Sequence, residues 1–379
     1  MKTTTAVISV LAMAAAGCAS APSGYVVEGT IAGVDNGKVL LQADAQLEPF
    51  SDTTELKNGK FTFTGTISTP QNVLLYVDGV EGGAVEFFLV NDKITIDGDI
   101  TAMRSAKVAG PPIVLDARRL SKQSDSLIMG AMPSYPPDFF DVLEDPEAPA
   151  ELKAERQVLY DQTMELLLAA SAESQKLYAA YVRKNPYSPL TVWIIANTLS
   201  NYPPAELTAI LDSLKKQPEL EGNYFLAWIT EYVDNLQGIE LGKIAPDFTQ
   251  NTPDGTPLTF STVYRQNKLT MVDFWASWCG PCRRFNPALV ELYNQYHAKG
   301  FEIIGVSCDE EKEEWLKAIA SDKLPWHHVS DLQKWNNAVA RQFNVLSIPQ
   351  NLFVNAEGVI VGIKIEEESL EKFLKEQLN

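Results

Sequence analysis

Val272-Asp273-Phe274-Trp275-Ala276-Ser277-Trp278-Cys279-Gly280-Pro281-Cys282-Arg283 is the stretch that decides the fold. An apolar run with one acid ends in Trp-Cys-Gly-Pro-Cys, and the residues after it read as a helix. Two cysteines two residues apart at a strand-to-helix junction make a dithiol that can open and close reversibly. Cys279 would sit at the helix N-terminus, where unpaired N–H groups and the dipole favour an anion. Its thiolate is then stabilised and nucleophilic near neutral pH. Cys282, one turn along, is placed to attack Cys279 in its turn. Gly280 and Pro281 shape that turn, and Pro281 contributes no N–H donor.

With its tryptophans and upstream acid, this stretch resembles the active site of the thioredoxin superfamily. Ile244-Ala245-Pro246-Asp247-Phe248 resembles the opening of the extracytoplasmic, TlpA/ResA-like branch, which includes cytochrome-maturation and sporulation thiol reductases. The resemblance implies an α/β thioredoxin fold, a redox disulfide Cys279–Cys282, and substrate contacts around Trp278. It makes Asp273 the buried acid behind the dithiol. A carboxyl group in an apolar strand holds its proton more tightly than in water and can later accept the Cys282 proton. Ser347-Ile348-Pro349-Gln350 matches the cis-proline loop, where the Ile348 backbone is expected to pair with substrate. Two positions depart from relatives: Phe285 stands where several members carry an acid, and Gly305 where thioredoxins have a lysine.

Around the motif, strands are expected at Leu269–Phe274, Phe301–Val306, Asn351–Val354 and Val359–Ile363. Helices are expected at Cys279–His297, Glu311–Ala320, near Asn336–Phe343, and at Ser369–Leu378, with a kink at Pro287. This thioredoxin-like domain would span residues 239–379. Residues 113–238 read as helical. Leu152, Leu159, Leu166, Ala170, Leu177 and Tyr181 make one apolar stripe on a long helix, and a helix near Leu190–Leu199 is apolar nearly all round. The aromatics Tyr178, Tyr181, Tyr187, Trp193, Tyr224 and Trp228 fit core positions better than a peptide groove. Residues 24–112 read as short strands parted by Asn36-Gly37, Asn58-Gly59 and Asp78-Gly79, a small antiparallel β-sandwich. They resemble an uncharacterised β domain found ahead of thioredoxin domains in exported bacterial proteins. No catalytic cluster falls there, so a spacer and a partner-binding module are both open.

At the start, Met1-Lys2 is followed by the apolar run Ala6–Ala16, too short for the ~20 residues of a membrane span. A signal peptide over 1–17 is expected. Ala15-Ala16-Gly17-Cys18 resembles the bacterial lipoprotein box, with Ala15 in place of the usual Leu. That resemblance implies lipidation at Cys18, a tether over 18–23 and a periplasm-facing anchor. The alternative is soluble secretion after Ala19-Ser20-Ala21.

The totals set bounds. The chain has 379 residues and a formal charge of −18, which argues for several domains and against a nucleic-acid partner. Four cysteines are too few for a disulfide scaffold. Cys308 reads as a small buried residue. With His297, His327 and His328 the only histidines, no second paired spacing supports zinc, and no cofactor is implied. A peroxiredoxin would place a Pro-x-x-x-Thr approach before its cysteine, and Asp273 to Trp278 has none. A disulfide oxidant or isomerase and a non-catalytic binding module are weaker alternatives. Cys-Gly-Pro-Cys sites lie nearer about −270 mV than about −120 mV. The expected enzyme is therefore a disulfide reductase acting on disulfide-bonded periplasmic proteins and recharged by a membrane thiol-transporting reductase.

Overall fold

The computed structural model describes residues 24–43, 50–80, 83–145, 147–236 and 238–378. The signal stretch, Cys18 and the tether lie outside these residues. Among the described residues, no helix is long and apolar enough to cross a membrane.

The N-terminal strands are β1 (Tyr25–Ala32), β2 (Asn36–Ala43), β3 (Ser51–Lys57), β4 (Lys60–Gly65), β5 (Gln71–Val77), β6 (Val85–Leu89), β7 (Lys93–Asp99) and β8 (Lys107–Ala109). Alternation does the work in β4, where Phe61 and Phe63 are buried while Lys60, Thr62 and Thr64 face water. Its turn, Asn58-Gly59, has positive φ at both residues (49° and 70°), the backbone that Asn-Gly supplies in tight hairpins. The region is sheet-rich, as expected, and its strands are linked by hydrogen bonds in one order around a single core. The order is β6-β5-β2-β3-β4-β1-β7-β8. Neighbours run antiparallel except β1 and β7, which are parallel. Alternation within a strand says which face is buried and is silent about which strand lies alongside.

Six helices follow: α1 (Pro112–Ala131), α2 (Phe139–Glu144), α3 (Ala150–Lys184), α4 (Pro189–Ala196), α5 (Pro204–Leu214) and α6 (Tyr224–Leu236). Arg118 of α1 stitches them to the sheet by donating to the Glu86 carbonyl (2.7 Å). In α4, Leu190, Thr191, Val192, Ile194, Ile195 and Ala196 are all buried, so its apolar circumference is core. The inward line of α3 differs from the expected stripe. It runs through Thr163, Ala170, Ser174 and Tyr181, whereas Leu166 is 56% exposed. Small residues win that line because α1 lies close, with Ser124 and Ser174 hydroxyls 2.7 Å apart. Of the aromatics, Tyr181 and Trp228 are buried, and Trp193 meets Phe88 edge to face; Tyr187 is exposed.

The C-terminal part opens with a hairpin of β9 (Thr249–Asn251) and β10 (Pro257–Thr259), then α7 (Phe260–Tyr264). It continues as β11 (Leu269–Trp275), α8 (Gly280–Tyr296), β12 (Phe301–Ser307), α9 (Lys312–Asp322), β13 (His327–Val329), α10 (Ala338–Gln342), β14 (Gln350–Asn355), β15 (Ile360–Ile363) and α11 (Glu367–Leu378). The sheet order is β13-β12-β11-β14-β15. β11 pairs parallel with β12 and antiparallel with β14, so the motif strand is central and all its residues are buried. This is the thioredoxin-like arrangement. Strand β13 was not foreseen; its three residues are too few to show a period.

The helices are fastened to this part through α10. The Arg341 guanidinium of α10 makes a two-pronged pair with Glu231 of α6 and lies 4.6 Å over the Trp228 ring. Asn235 donates to the Arg341 carbonyl (3.1 Å), and Asn344 to the Tyr232 carbonyl (2.9 Å). Gly242, in the connecting segment, donates to the Ile360 carbonyl (2.8 Å), so the connection is an added rung on β15. Because the ion pair is partly exposed, most of the value should come from the cation–π contact, about 1–2 kcal/mol. Arg341→Ala is expected to lower unfolding stability by that amount and to speed proteolysis between α6 and β9. Unchanged denaturant midpoints and digestion rates would show that the clamp is not holding the two parts.

Candidate active site

The end of β11 delivers the chain to α8 through Ala276-Ser277-Trp278, and two charged groups grip this loop. The buried Asp309 carboxylate accepts from the Ser277 N–H (3.1 Å to each oxygen) and from its hydroxyl (2.5 Å). Ser307 steadies the same carboxylate from below (2.6 Å). From the other side, Arg283 donates to the Ser277 carbonyl (3.0 Å) while Asp322 holds its guanidinium. Asp309, Arg283 and Asp322 went unnoticed in the sequence. They meet across separations of 32 and 39 residues, and only a short Ser-Cys-Asp ending of β12 could have hinted at the first.

Cys279 is the N-cap of α8, and its sulfur accepts the Cys282 N–H (3.2 Å). Cys279 and Cys282 are joined as a disulfide, both buried, while Gly280 and Pro281 face solvent. When the bond opens, the same N–H stands ready to stabilise a Cys279 thiolate. Trp278 is half exposed, its ring 5.8 Å from that of Trp335. The Ile348–Pro349 bond is cis. Ser347 and Pro349 are exposed, and Ile348 is partly buried against the core.

Asp273 lies in a row of residues that runs across the sheet. Asn351 of β14 is on one side, Gly305 of β12 on the other, and His328 of β13 beyond it. None of them pairs with the acid. The Asn351 amide is spent on the Ile365 backbone, accepting at 2.8 Å and donating at 2.9 Å. Gly305 has no side chain, and a Cβ built there would come within 2.9 Å of His328 Nδ1 and 3.1 Å of Trp275 Nε1. The lysine of thioredoxins therefore has no room, because Trp275 and His328 fill its place. His328 is itself buried, which pushes its pKa down to about 4 and leaves the ring neutral. Desolvation without a counter-charge pushes Asp273 up to about 7.

The acid is not sealed. It lines a cavity of about 470 Å³ with Pro281, Phe285, Pro349 and Gln350, whose other walls carry Arg284, Lys364 and Glu366 to Glu368. Phe285 contributes an apolar side chain to this wall. Cys308 is fully buried and its thiol is pushed up to about 12 by burial and by Asp309 and Asp331, so it stays protonated.

A profile of the AhpC/TSA family matches residues 241–363, and one of a domain of unknown function, DUF4369, matches residues 25–113. A thioredoxin-like protein of Bacillus subtilis, YneN, is 30% identical over 129 residues, which are 34% of this chain and 73% of that protein. The chain belongs to the thioredoxin-like thiol-disulfide oxidoreductases. The thiol-disulfide oxidoreductase ResA of Bacillus cereus is 29% identical over 147 residues, 38% of this chain and 82% of ResA. A solved thiol-disulfide oxidoreductase from Bacteroides fragilis is 34% identical and covers 35% of this chain and 98% of its own, with a TM-score of 0.34.

For this oxidoreductase, Asp273 ties stability to pH. Folded, the acid keeps its proton up to about pH 7; unfolded, it releases it near pH 4. The folded state thus binds more protons across that window. The benefit is complete below pH 4 and is lost as pH rises towards 7, about 4 kcal/mol in all. Asp273→Asn should match the wild type at pH 4 and exceed it at pH 8 in denaturant unfolding of the oxidised proteins. Parallel pH profiles for the two would contradict a buried, unpaired acid.

Proposed function

We propose that this chain is an exported disulfide reductase, using Cys279 as nucleophile and Cys282 as resolving thiol. The observation that carries the proposal is the Cys279–Cys282 disulfide at the N-cap of α8 in the sheet whose central strand holds an unpartnered Asp273. Reduced, the Cys279 thiolate attacks a substrate disulfide sulfur, one S–S bond breaks as another forms, and a substrate thiolate leaves. Cys282 then attacks the Cys279 sulfur, the Cys279–substrate bond breaks as the Cys279–Cys282 bond forms, and the second substrate sulfur leaves as a thiolate. The Cys282 proton passes to the Asp273 carboxylate and leaves through the cavity beside it. Substrate gains two electrons, and the dithiol becomes the disulfide. A pKa near the working pH suits a group that must take and release that proton once per cycle.

Neighbouring side chains support the assignment. Asp309 and Arg283 hold the Ser277 peptide, which sets where Cys279 starts the helix. The Trp278 face and the Ser347 to Pro349 loop offer a docking surface for an extended substrate strand. Recharging needs a second dithiol, and we assign it to a membrane thiol-transporting reductase. We assign the site to the periplasm, with Cys18 as lipid anchor, on the strength of Ala6–Ala16 and Ala15-Ala16-Gly17-Cys18. The AhpC/TSA profile match leaves a peroxide reductase as the second reading, and the absence of a Pro-x-x-x-Thr approach from Asp273 to Trp278 favours the disulfide reductase over it.

Cys282→Ala should trap substrate proteins as mixed disulfides on Cys279, released by dithiothreitol and seen as mass-shifted bands on non-reducing gels. The Cys279→Ala, Cys282→Ala double variant should show none. Identical patterns from the two variants would remove the proposed mechanism.

A further inference from the structure

The loop from Val345 to Pro349 parts two cavities. Ser347 and Pro349 wall the charged one that reaches Asp273, whereas Val345 and Leu346 wall a smaller one of about 220 Å³. The opposite wall of the smaller cavity comes from the helical region: Leu199 and Ser200 after α4, and Trp228 of α6. Trp335 completes it, and Trp335 is the residue whose ring meets Trp278 beside Cys279. No charged residue lines it among those described. The wall supplied by the helices is held in place, because Trp228 is the ring that Arg341 covers and Arg341 is paired to Glu231.

We propose that this cavity is a substrate subsite that accepts one apolar side chain, leucine- or phenylalanine-sized, from the disulfide-bonded protein being reduced. The proposal rests on the reductase assignment above and names what that site selects. Three observations carry it. The cavity adjoins the docking surface, since Leu346 is next to Ser347 in the chain and the Trp335 ring lies 5.8 Å from that of Trp278. Its volume is below the roughly 300–1,000 Å³ of small-molecule sites, which fits a single side chain. Its walls carry no charge, and six of its eight lining residues are apolar, in contrast to the charged cavity across the loop. At ~3.3 Å per residue, an extended strand crossing the Trp278 ring would bring a side chain to it within about three residues of the substrate cysteine. The helical region would then choose substrates by its own contact, in addition to carrying the catalytic domain.

The test uses the full chain with dithiothreitol as reductant and synthetic peptide disulfides in which each of the three residues on either side of the cysteine is changed from Ser to Leu. Wild type should show about tenfold higher kcat/KM for Leu at one or two positions on one side only. Ser200→Trp, which fills the cavity from its exposed wall, should cut that preference to twofold or less. Asn197→Phe, from the neighbouring exposed wall residue, should do the same if Ser200→Trp fails to fold. Wild type reducing all peptides at equal kcat/KM would overturn the subsite, as would a preference that survives in either folded variant. If wild type reduces no peptide disulfide at all, the reductase assignment itself falls.

Discussion

A carboxyl group with no partner in the central strand of an apolar sheet is the constraint around which this molecule is built. Burying this acid is tolerated because Asp273 holds its proton up to about pH 7, and it does so because its neighbours in the sheet row do not pair with it. Asn351 is committed to the Ile365 backbone, Gly305 is bare, and His328 is neutral. The two large side chains that exclude a lysine from Gly305, Trp275 and His328, also fill the space above it. The same sheet row thus explains both the raised pKa and the departure from the thioredoxin pattern. Phe285 extends the dry wall, and the cavity beside it supplies the route to water.

The dithiol depends on a second arrangement, the grip on Ser277. A cysteine gains a nucleophilic thiolate at an N-cap only if the helix begins at that residue in a fixed register. Asp309 and Arg283 fix it by occupying the N–H and the carbonyl of Ser277 itself. Asp322, on α9, in turn fixes Arg283 and reaches Asn286 (2.7 Å), so α8 and its loop are tied as one unit. Further out, Arg341 brings the helical region to the rim of the site.

What could be read from the chain alone was what is local. The spacing of Asp273, Cys279 and Cys282 runs along one strand and the first turn of one helix, so the order of residues already implies their placement. Alternation in Lys60 to Thr64 and the Asn58-Gly59 turn were legible for the same reason. Contacts between distant residues were not. Only Ser-Cys-Asp at the end of β12 hints at the Asp309–Ser277 contact, nothing near Arg341 announces Trp228, and no periodicity reveals that β1 lies parallel to β7. Leu166 misled because an apolar residue at helical spacing suggests a buried stripe, whereas close packing of α1 on α3 selected small side chains for that line. Trp335, which links the dithiol's rim to the helical region, sits in a single 3-10 turn, Lys334–Asn336, too short to show a period.

The proposal as a whole turns on a dithiol that donates electrons. Equilibrating the full chain with defined ratios of reduced and oxidised glutathione, and scoring Cys279–Cys282 by thiol alkylation, gives its potential directly. A value near about −270 mV is predicted, on the side of thioredoxin-type reductants; one above about −150 mV would make the site an oxidant and contradict the reductase.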